Sequence, residues 1–209
     1  MTGKRAKEHD AKRSRILRAA IQAFSRDGYH QTRISDIAKA ANVADGTVYL
    51  YFDGKKDLLS MIFEERMGRS LERGRDELGR IDGALEKLHR IVELHLEDLG
   101  ENPELATVFQ IELRHSTRFM ELYSRGHLRD YFQLIAEILE EGKKEGSIRN
   151  DFDTWFATKC IFGVLDEAAT NWILSKKNYR LHGTAKQILD FVLNGLSNEA
   201  PSGTYIANR

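Results

Sequence analysis

Residues 32–52, TRISDIAKAANVADGTVYLYF, set two short amphipathic segments on either side of one tight turn. The first follows Thr32, a residue type suited to an N-cap, and carries Ile34, Ile37, Ala38 and Ala41 on one face. Asn42 comes next, and asparagine tolerates the left-handed backbone that such a turn needs. The second segment covers about residues 45–51 and is too short to stand without packing on its inner face. Ile34, Ile37, Ala38, Val43 and Val48 can hold the pair together, and small Ala38 and Ala41 permit close approach. These are the lengths of a helix-turn-helix. The outer face of 45–51 is then free. Gly46 has no side chain, so the backbone there can come close to another surface. Thr47, Tyr49 and Tyr51 carry hydroxyls that can reach phosphate oxygens, and Lys55 and Lys56 follow at the start of the next segment. Backbone N–H groups at a helix start favour anions too. A DNA major groove admits a helix; phosphate contacts set its register and base edges give specificity. The stretch therefore predicts a DNA-binding element, against the competing reading of a packing turn with incidental tyrosines.

Working outward, helical periodicity continues and no strand alternation is found. Ile16, Leu17, Ala20, Ile21 and Phe24 form an upstream stripe that Gly28 closes. After DGKKD (53–57) a long helix carries Leu58, Leu59, Ile62, Phe63 and Met67. Leu85, Leu88, Val92, His95 and Leu99 mark another, and Pro103 opens the next. A helical stretch from about 118 to 145 ends at KKEGS. Ala157, Ile161, Val164, Leu165, Ala168 and Trp172 line one side of a further helix. Ile188, Leu189, Val192, Leu193 and Leu196 line the last. The expected layout is all-α: a head over residues 1–54 with a basic tail at 1–10, a larger body over 55–198, and a flexible tail at 199–209.

Charge follows the same division. Residues 1–60 hold 12 Lys and Arg against 7 Asp and Glu, whereas the remainder holds 20 against 25, so a neutral total conceals a basic end suited to a polyanion. A merely solvated tail is the alternative, since Lys4, Arg5, Lys7, Lys12 and Arg13 supply much of the excess. The single cysteine, Cys160, excludes an internal disulfide, and its place in FATKCIFGVL (156–165) predicts a buried thiol. No apolar run reaches the length of a membrane span and no signal core is present, which predicts a cytoplasmic protein with no membrane role. There is no G-x-S-x-G, P-loop or dinucleotide fingerprint. His89 and His95, six apart, do not share a helical face as a metal pair would. An enzyme, a metal site and a cofactor are accordingly not expected.

The run ILRAAIQAFSRDGYHQTRISDIAKAANVADGTVYLYFDGKKDLL (16–59) resembles the DNA-binding head of the TetR/AcrR family of bacterial one-component transcription regulators. The resemblance implies an all-α homodimer of about nine helices per chain, with an effector pocket in the body. By matching position it assigns phosphate contacts to Thr32, Thr47, Tyr49 and Lys55, and places Asp45, Gly46 and Leu50 on the recognition helix. Asn42 stands where the family more usually has the turn glycine. Ala44 stands where a serine cap is frequent, which leaves Asp45 as an alternative cap. Two-fold symmetry implies a near-palindromic double-stranded operator.

The body resembles, in patches, the FadR-type regulators of fatty acid degradation that respond to long-chain acyl-CoA. The similar pieces are VADGTVYLYF (43–52), FQIELRHS (109–116) and IFGVLDEAATNWIL (161–174). Gln110, Glu112 and Arg114 alternate there with Phe109, Ile111 and Leu113, so a pocket apolar inside and charged at its mouth is one reading. A structural Glu112–Arg114 pairing is the other. Burial of an acyl chain yields about 0.8 kcal/mol per CH₂, and the CoA phosphates would call for Arg114 or Arg118. Phe162 and Trp172, with Phe109, stand as either pocket or core. DEAATNW (166–172) and AKQILDFVLNGL (185–196) resemble the family's dimer-forming segments, which nominates Asp166, Ala168, Ala169, Ile188 and Val192. Two rivals remain: a repressor of this family sensing a drug or a different CoA thioester, and a helical adaptor with no DNA role.

Overall fold

The computed structural model describes residues 2–112, 126–175 and 179–196. Nine α-helices and no strand occur among them: α1 (Thr2–Asp27), α2 (Ile34–Ala40), α3 (Asp45–Tyr49), α4 (Lys55–Leu78), α5 (Ala84–Gly100), α6 (Pro103–Thr107), α7 (His127–Glu145), α8 (Thr154–Leu174) and α9 (Ala185–Leu196). A π-helical turn (Val108–Glu112) continues α6, and a 3₁₀ turn (Leu181–Thr184) precedes α9. The described residues divide into two compact units. One holds α1 to α3, α4 through Arg69, α6 and the π turn; the other holds α4 from Ser70, α5, α7 from Leu128, α8 and α9.

In the first unit α1 buries Ile16, Leu17, Ala20 and Phe24, and stops where Gly28 takes φ +80° with its N–H on the Phe24 carbonyl at 3.0 Å. Helix begins at Thr2, so the basic tail expected at 1–10 is instead the opening of α1. No proline or glycine pair interrupts that segment, and Glu8 pairs with Lys12 one turn on. Asn42 takes φ +52°, as the turn between α2 and α3 requires, and Val43 N–H closes it onto the Ala38 carbonyl at 3.0 Å. Ile37, Ala38, Val48, Phe52, Leu58 and Leu59 make the core beneath. The unit extends past residue 54 because the π turn is tied to it. Phe109 meets Phe63 edge-on at 5.3 Å, and the Glu112 carboxylate accepts the Tyr29 N–H at 2.8 Å.

In the second unit α5 packs on α8, α9 and the 3₁₀ turn. Leu88, Ile91, Val92 and Leu96 share the core with Ile135, Leu139, Ile161, Leu165 and Leu189. Asp153 caps α8 by accepting the Phe156 N–H at 2.7 Å. Cys160 is exposed, not buried as its apolar flanks suggest, because the inward face of α8 passes through Ala157, Ile161 and Leu165.

Gly142 on α7 has its helix-facing space filled: a Cβ there would lie 2.5 Å from Ile148 Cδ1 and 3.0 Å from Ala84 Cβ. Alanine would gain about 1 kcal/mol of helix propensity, but Ile148 is fully buried and overpacking a core costs about 1–3 kcal/mol. Gly142→Ala is therefore expected to lower stability by about 1 kcal/mol in urea denaturation, opposite in sign to the change at an open helical glycine such as Gly163.

Candidate nucleic-acid interface and effector site

Helix α3 is held by its inner face, where Val48 is fully buried. Its N-cap, Ala44, supplies no side-chain acceptor, and Asp45 stands exposed in the first turn without capping. A Cβ at Gly46 would meet nothing within 4 Å. Tyr49 is 58% exposed and Leu50 80%, the highest exposure of any large apolar side chain among the described residues. One short helix thus presents an open glycine, an acid, a half-buried Thr47 and two large side chains on its unpacked surface. Such a face has contact atoms for phosphate, base edge and thymine methyl.

Three expected contacts are redirected by the fold. Thr32 is buried, its hydroxyl within 2.8 Å of the Gly28 carbonyl and 3.2 Å of the Ala23 carbonyl, so it ties α1 to the following loop and cannot reach a phosphate. Nor does it cap α2: the N-cap is Arg33, whose N–H is accepted by Asp36 at 3.0 Å. Lys55 donates to the Tyr29 and His30 carbonyls at 2.7 and 3.1 Å and lies over the Tyr29 ring, which places its ammonium on the loop before α2. Lys56 is the exposed neighbour. Tyr51 is half-buried and its ring packs on His9 of α1 at 4.5 Å. Arg13 is likewise internal, paired with Glu65 and set over Phe52. No local pattern reveals these partners, which lie more than twenty residues away for Lys55 and more than forty for Tyr51.

The residues nominated for the effector fall in both units. Gln110 is buried on the π turn beside Phe109. Glu112 serves the Tyr29 N–H, a partner not anticipated for it. Leu113, Arg114 and Arg118 lie outside the described residues. In the second unit Phe162 stands at the centre of an aromatic cluster, with His95, Tyr131 and Phe132 at ring distances of 5.9, 6.3 and 5.0 Å. Trp172 is half-buried and its indole N–H donates to the Tyr179 carbonyl at 2.9 Å, closing the end of α8. A cleft of about 540 Å³, open to solvent, lies nearby between Asn171, Leu174, Ser175, Tyr179, Thr184 and Gln187, an uncharged lining among the described residues.

His95 and Tyr131 are the polar members of the cluster, where periodicity places His95 simply on an apolar stripe. His95 Nδ1 and the Tyr131 hydroxyl are 3.0 Å apart. Burial pushes the His95 pKa down to about 4, against a weaker upward pull from Asp98, and burial raises that of Tyr131. An unfolded chain protonates this histidine near 6.5, so between about 6.5 and 4 the unfolded state holds more protons and stability falls as pH falls. Above 6.5 the contribution is flat. The expected loss between pH 7.5 and 5 is about 2 kcal/mol, and the slope should be shallower by that amount in His95→Phe when urea midpoints are compared at the two pH values.

The helix faces nominated for dimerisation also divide. Ala169, Ile188 and Val192 are buried inside the second unit, while Asp166 and Ala168 are half-buried. The outward faces of α8 and α9 carry instead Phe156 and Leu174, each 67% exposed, and Phe191 at 72%. The stripe Ile188, Leu189, Val192 and Leu196 that periodicity marks on α9 is its buried face, and Phe191 stands on the opposite side among Lys186, Gln187 and Asn194. No cluster that could hold a metal ion, and no helix long and apolar enough to cross a membrane, occurs among the described residues.

Residues 16–62 match the family of bacterial regulatory proteins of the tetR type, and residues 63–195 match the C-terminal region of YsiA-like proteins. The fatty acid metabolism regulator protein of Bacillus subtilis is 35% identical over 92% of this chain and all of that protein. The fatty acid degradation regulator FadR from Bacillus halodurans superposes with a TM-score of 0.84 at 40% identity, covering 88% of this chain and 95% of that one. FadR from Bacillus subtilis, solved in complex with stearoyl-CoA, gives 0.83 at 35% identity over 87% and 98%. Two family matches that together span the head and the body, and a relative matched along its whole length, make this chain a transcription regulator of the TetR family.

Proposed function

We propose that the protein is a cytoplasmic, homodimeric repressor of fatty acid degradation genes that leaves its operator when it binds a long-chain acyl-CoA. The observation that carries the DNA half is the outer face of α3, with an open Gly46 and solvent-facing Asp45, Tyr49 and Leu50 on a helix anchored by buried Val48. Thr47 and Lys56 join them as phosphate contacts. The effector half is supported by the whole-chain likeness to a FadR solved with stearoyl-CoA. Exposed Phe156 and Leu174 of α8 and Phe191 of α9 suit pairing of two chains, and two-fold symmetry then calls for a near-palindromic operator. Because the basic excess lies in the head, operator affinity should fall steeply with added salt. A coupling of about 2.7 kcal/mol between the two ligands corresponds to a ~100-fold weaker grip on DNA when the effector is bound.

The test is a gel-shift titration against DNA upstream of the protein's own gene, with long-chain acyl-CoA, free CoA and free fatty acid in parallel. Release by acyl-CoA alone supports both halves. Binding without release retains the repressor and directs attention to a drug-like effector or another CoA thioester. Absence of binding at that and other operators would remove the DNA half.

A further inference from the structure

The aromatic cluster of the second unit contains an unused donor. The two buried side-chain polar atoms without a hydrogen-bond partner among the described residues are His95 Nε2 and Thr158 Oγ1. Phe162 connects their surroundings: its ring stands edge-on to His95 at 5.9 Å, and Thr158 lies one turn before it on the same face of α8. An orphaned buried polar atom costs a fold free energy that a bound ligand can return, so it marks a position where an acceptor is wanted.

The tautomer decides what kind of group is wanted. A phenol is a stronger donor than a neutral imidazole N–H, and an imidazole nitrogen is a stronger acceptor than a phenol oxygen. Across the 3.0 Å contact, Tyr131 therefore donates and His95 Nδ1 accepts. The proton of the neutral ring is then on Nε2, which must donate. Asp98, itself paired with Arg73 at 2.8 Å, is the charged group felt by this histidine, and the rings of Tyr131 and Phe162 lie against it, with Phe132 behind Phe162. A carboxylate entering here would have to lose its hydration among aromatic rings, with the nearby Asp98 already paired to Arg73. An uncharged carbonyl oxygen accepts the same hydrogen bond without burying an ion.

We propose that His95 Nε2–H recognises a neutral carbonyl oxygen of the bound effector, and so selects a CoA thioester over the free fatty acid. The inference rests on the acyl-CoA reading given above. An acyl-CoA offers such an oxygen at its thioester and again at the two amides of its pantetheine arm. S-alkyl-CoA, a thioether, keeps the amides and lacks the thioester carbonyl.

Calorimetric titration of the full-length dimer with hexadecanoyl-CoA and with S-hexadecyl-CoA separates the cases. His95→Phe should weaken hexadecanoyl-CoA binding about 10- to 100-fold, the value of one buried hydrogen bond, and His95→Gln, which restores an N–H near the Nε2 position, should recover most of it. A loss confined to the acyl compound identifies the thioester carbonyl. An equal loss for both compounds, rescued by glutamine, identifies an amide carbonyl. Should His95→Phe alone fail to fold, the double variant His95→Phe/Tyr131→Phe removes both polar groups together and reads the same comparison. Wild-type protein that binds both compounds while the folded phenylalanine variant binds them equally well overturns this inference alone, as does a loss that glutamine leaves unrepaired. Wild-type protein that binds neither compound overturns the effector reading and this inference with it.

Discussion

A leucine in place of Gly46 is expected to abolish operator binding while leaving the thermal midpoint at or slightly above that of the parent protein. The two effects separate because of where the new side chain goes. A Cβ at this position meets nothing in the protein, and Gly46 has an ordinary helical backbone, so leucine enters without a clash or strain. Glycine inside a helix is about 0.5–1 kcal/mol worse than alanine, and leucine is nearly as good a helix former as alanine, so the fold gains. For a chain of this length that is a rise of roughly 2–4 °C. On the DNA side the same four carbons stand between α3 and the groove and push the helix outward, which misplaces Tyr49, Leu50 and every phosphate contact at once. A fall of at least ~100-fold in gel-shift affinity is expected, larger than for Tyr49→Ala, which deletes one contact and keeps the approach. Tight binding by Gly46→Leu would mean that α3 does not enter the groove by this face.

Phe191→Asp should convert the protein to a monomer and thereby weaken operator binding by two orders of magnitude or more. Phe191 lies on the outward face of α9 at 72% exposure, a surface that costs free energy as long as it faces water. Burying one such side chain contributes about 1.5–3 kcal/mol, and a two-fold interface counts it twice. An aspartate removes both contributions and brings two like charges to a symmetric patch. Sedimentation analysis at micromolar concentration should show the monomer mass with unchanged helical circular dichroism. Val192→Asp is the instructive contrast: Val192 is buried in the second unit, so a charge there should unfold that unit rather than simply dissociate the dimer. A stable dimer of Phe191→Asp would place the interface elsewhere than the exposed faces of α8 and α9.

Local chemistry makes much of this protein legible from its residues alone. Gly28 and Asn42 take positive φ where the pattern calls for a helix stop and a tight turn, since those demands are set by the backbone within a few residues. The apolar stripe of α1 and the helix start at Pro103 follow from periodicity and capping in the same way. The family resemblance carries the head, and Gly46, Tyr49 and Leu50 do lie on an exposed helix face. Residues whose roles depend on distant neighbours read less well. Thr32 and Lys55 have the chemistry of phosphate contacts but are engaged by carbonyls of the loop before α2. Glu112 serves a backbone N–H that is 83 positions away.

What the sequence by itself determined is the all-helical class, the order of the helices, the helix-turn-helix and its turn, and the division between a basic head and an acidic remainder. These depend on spacing, propensity and charge, which act along the chain. Only the tertiary structure decided that Cys160 of the largely apolar α8 stands outside the core. It also brought His95 of α5 against Tyr131 of α7 and Phe162 of α8, withdrawing a histidine nitrogen from water and leaving it without a partner among the described residues. Burial and hydrogen-bond satisfaction are properties of a site that several helices build together, and no single helix carries their sign.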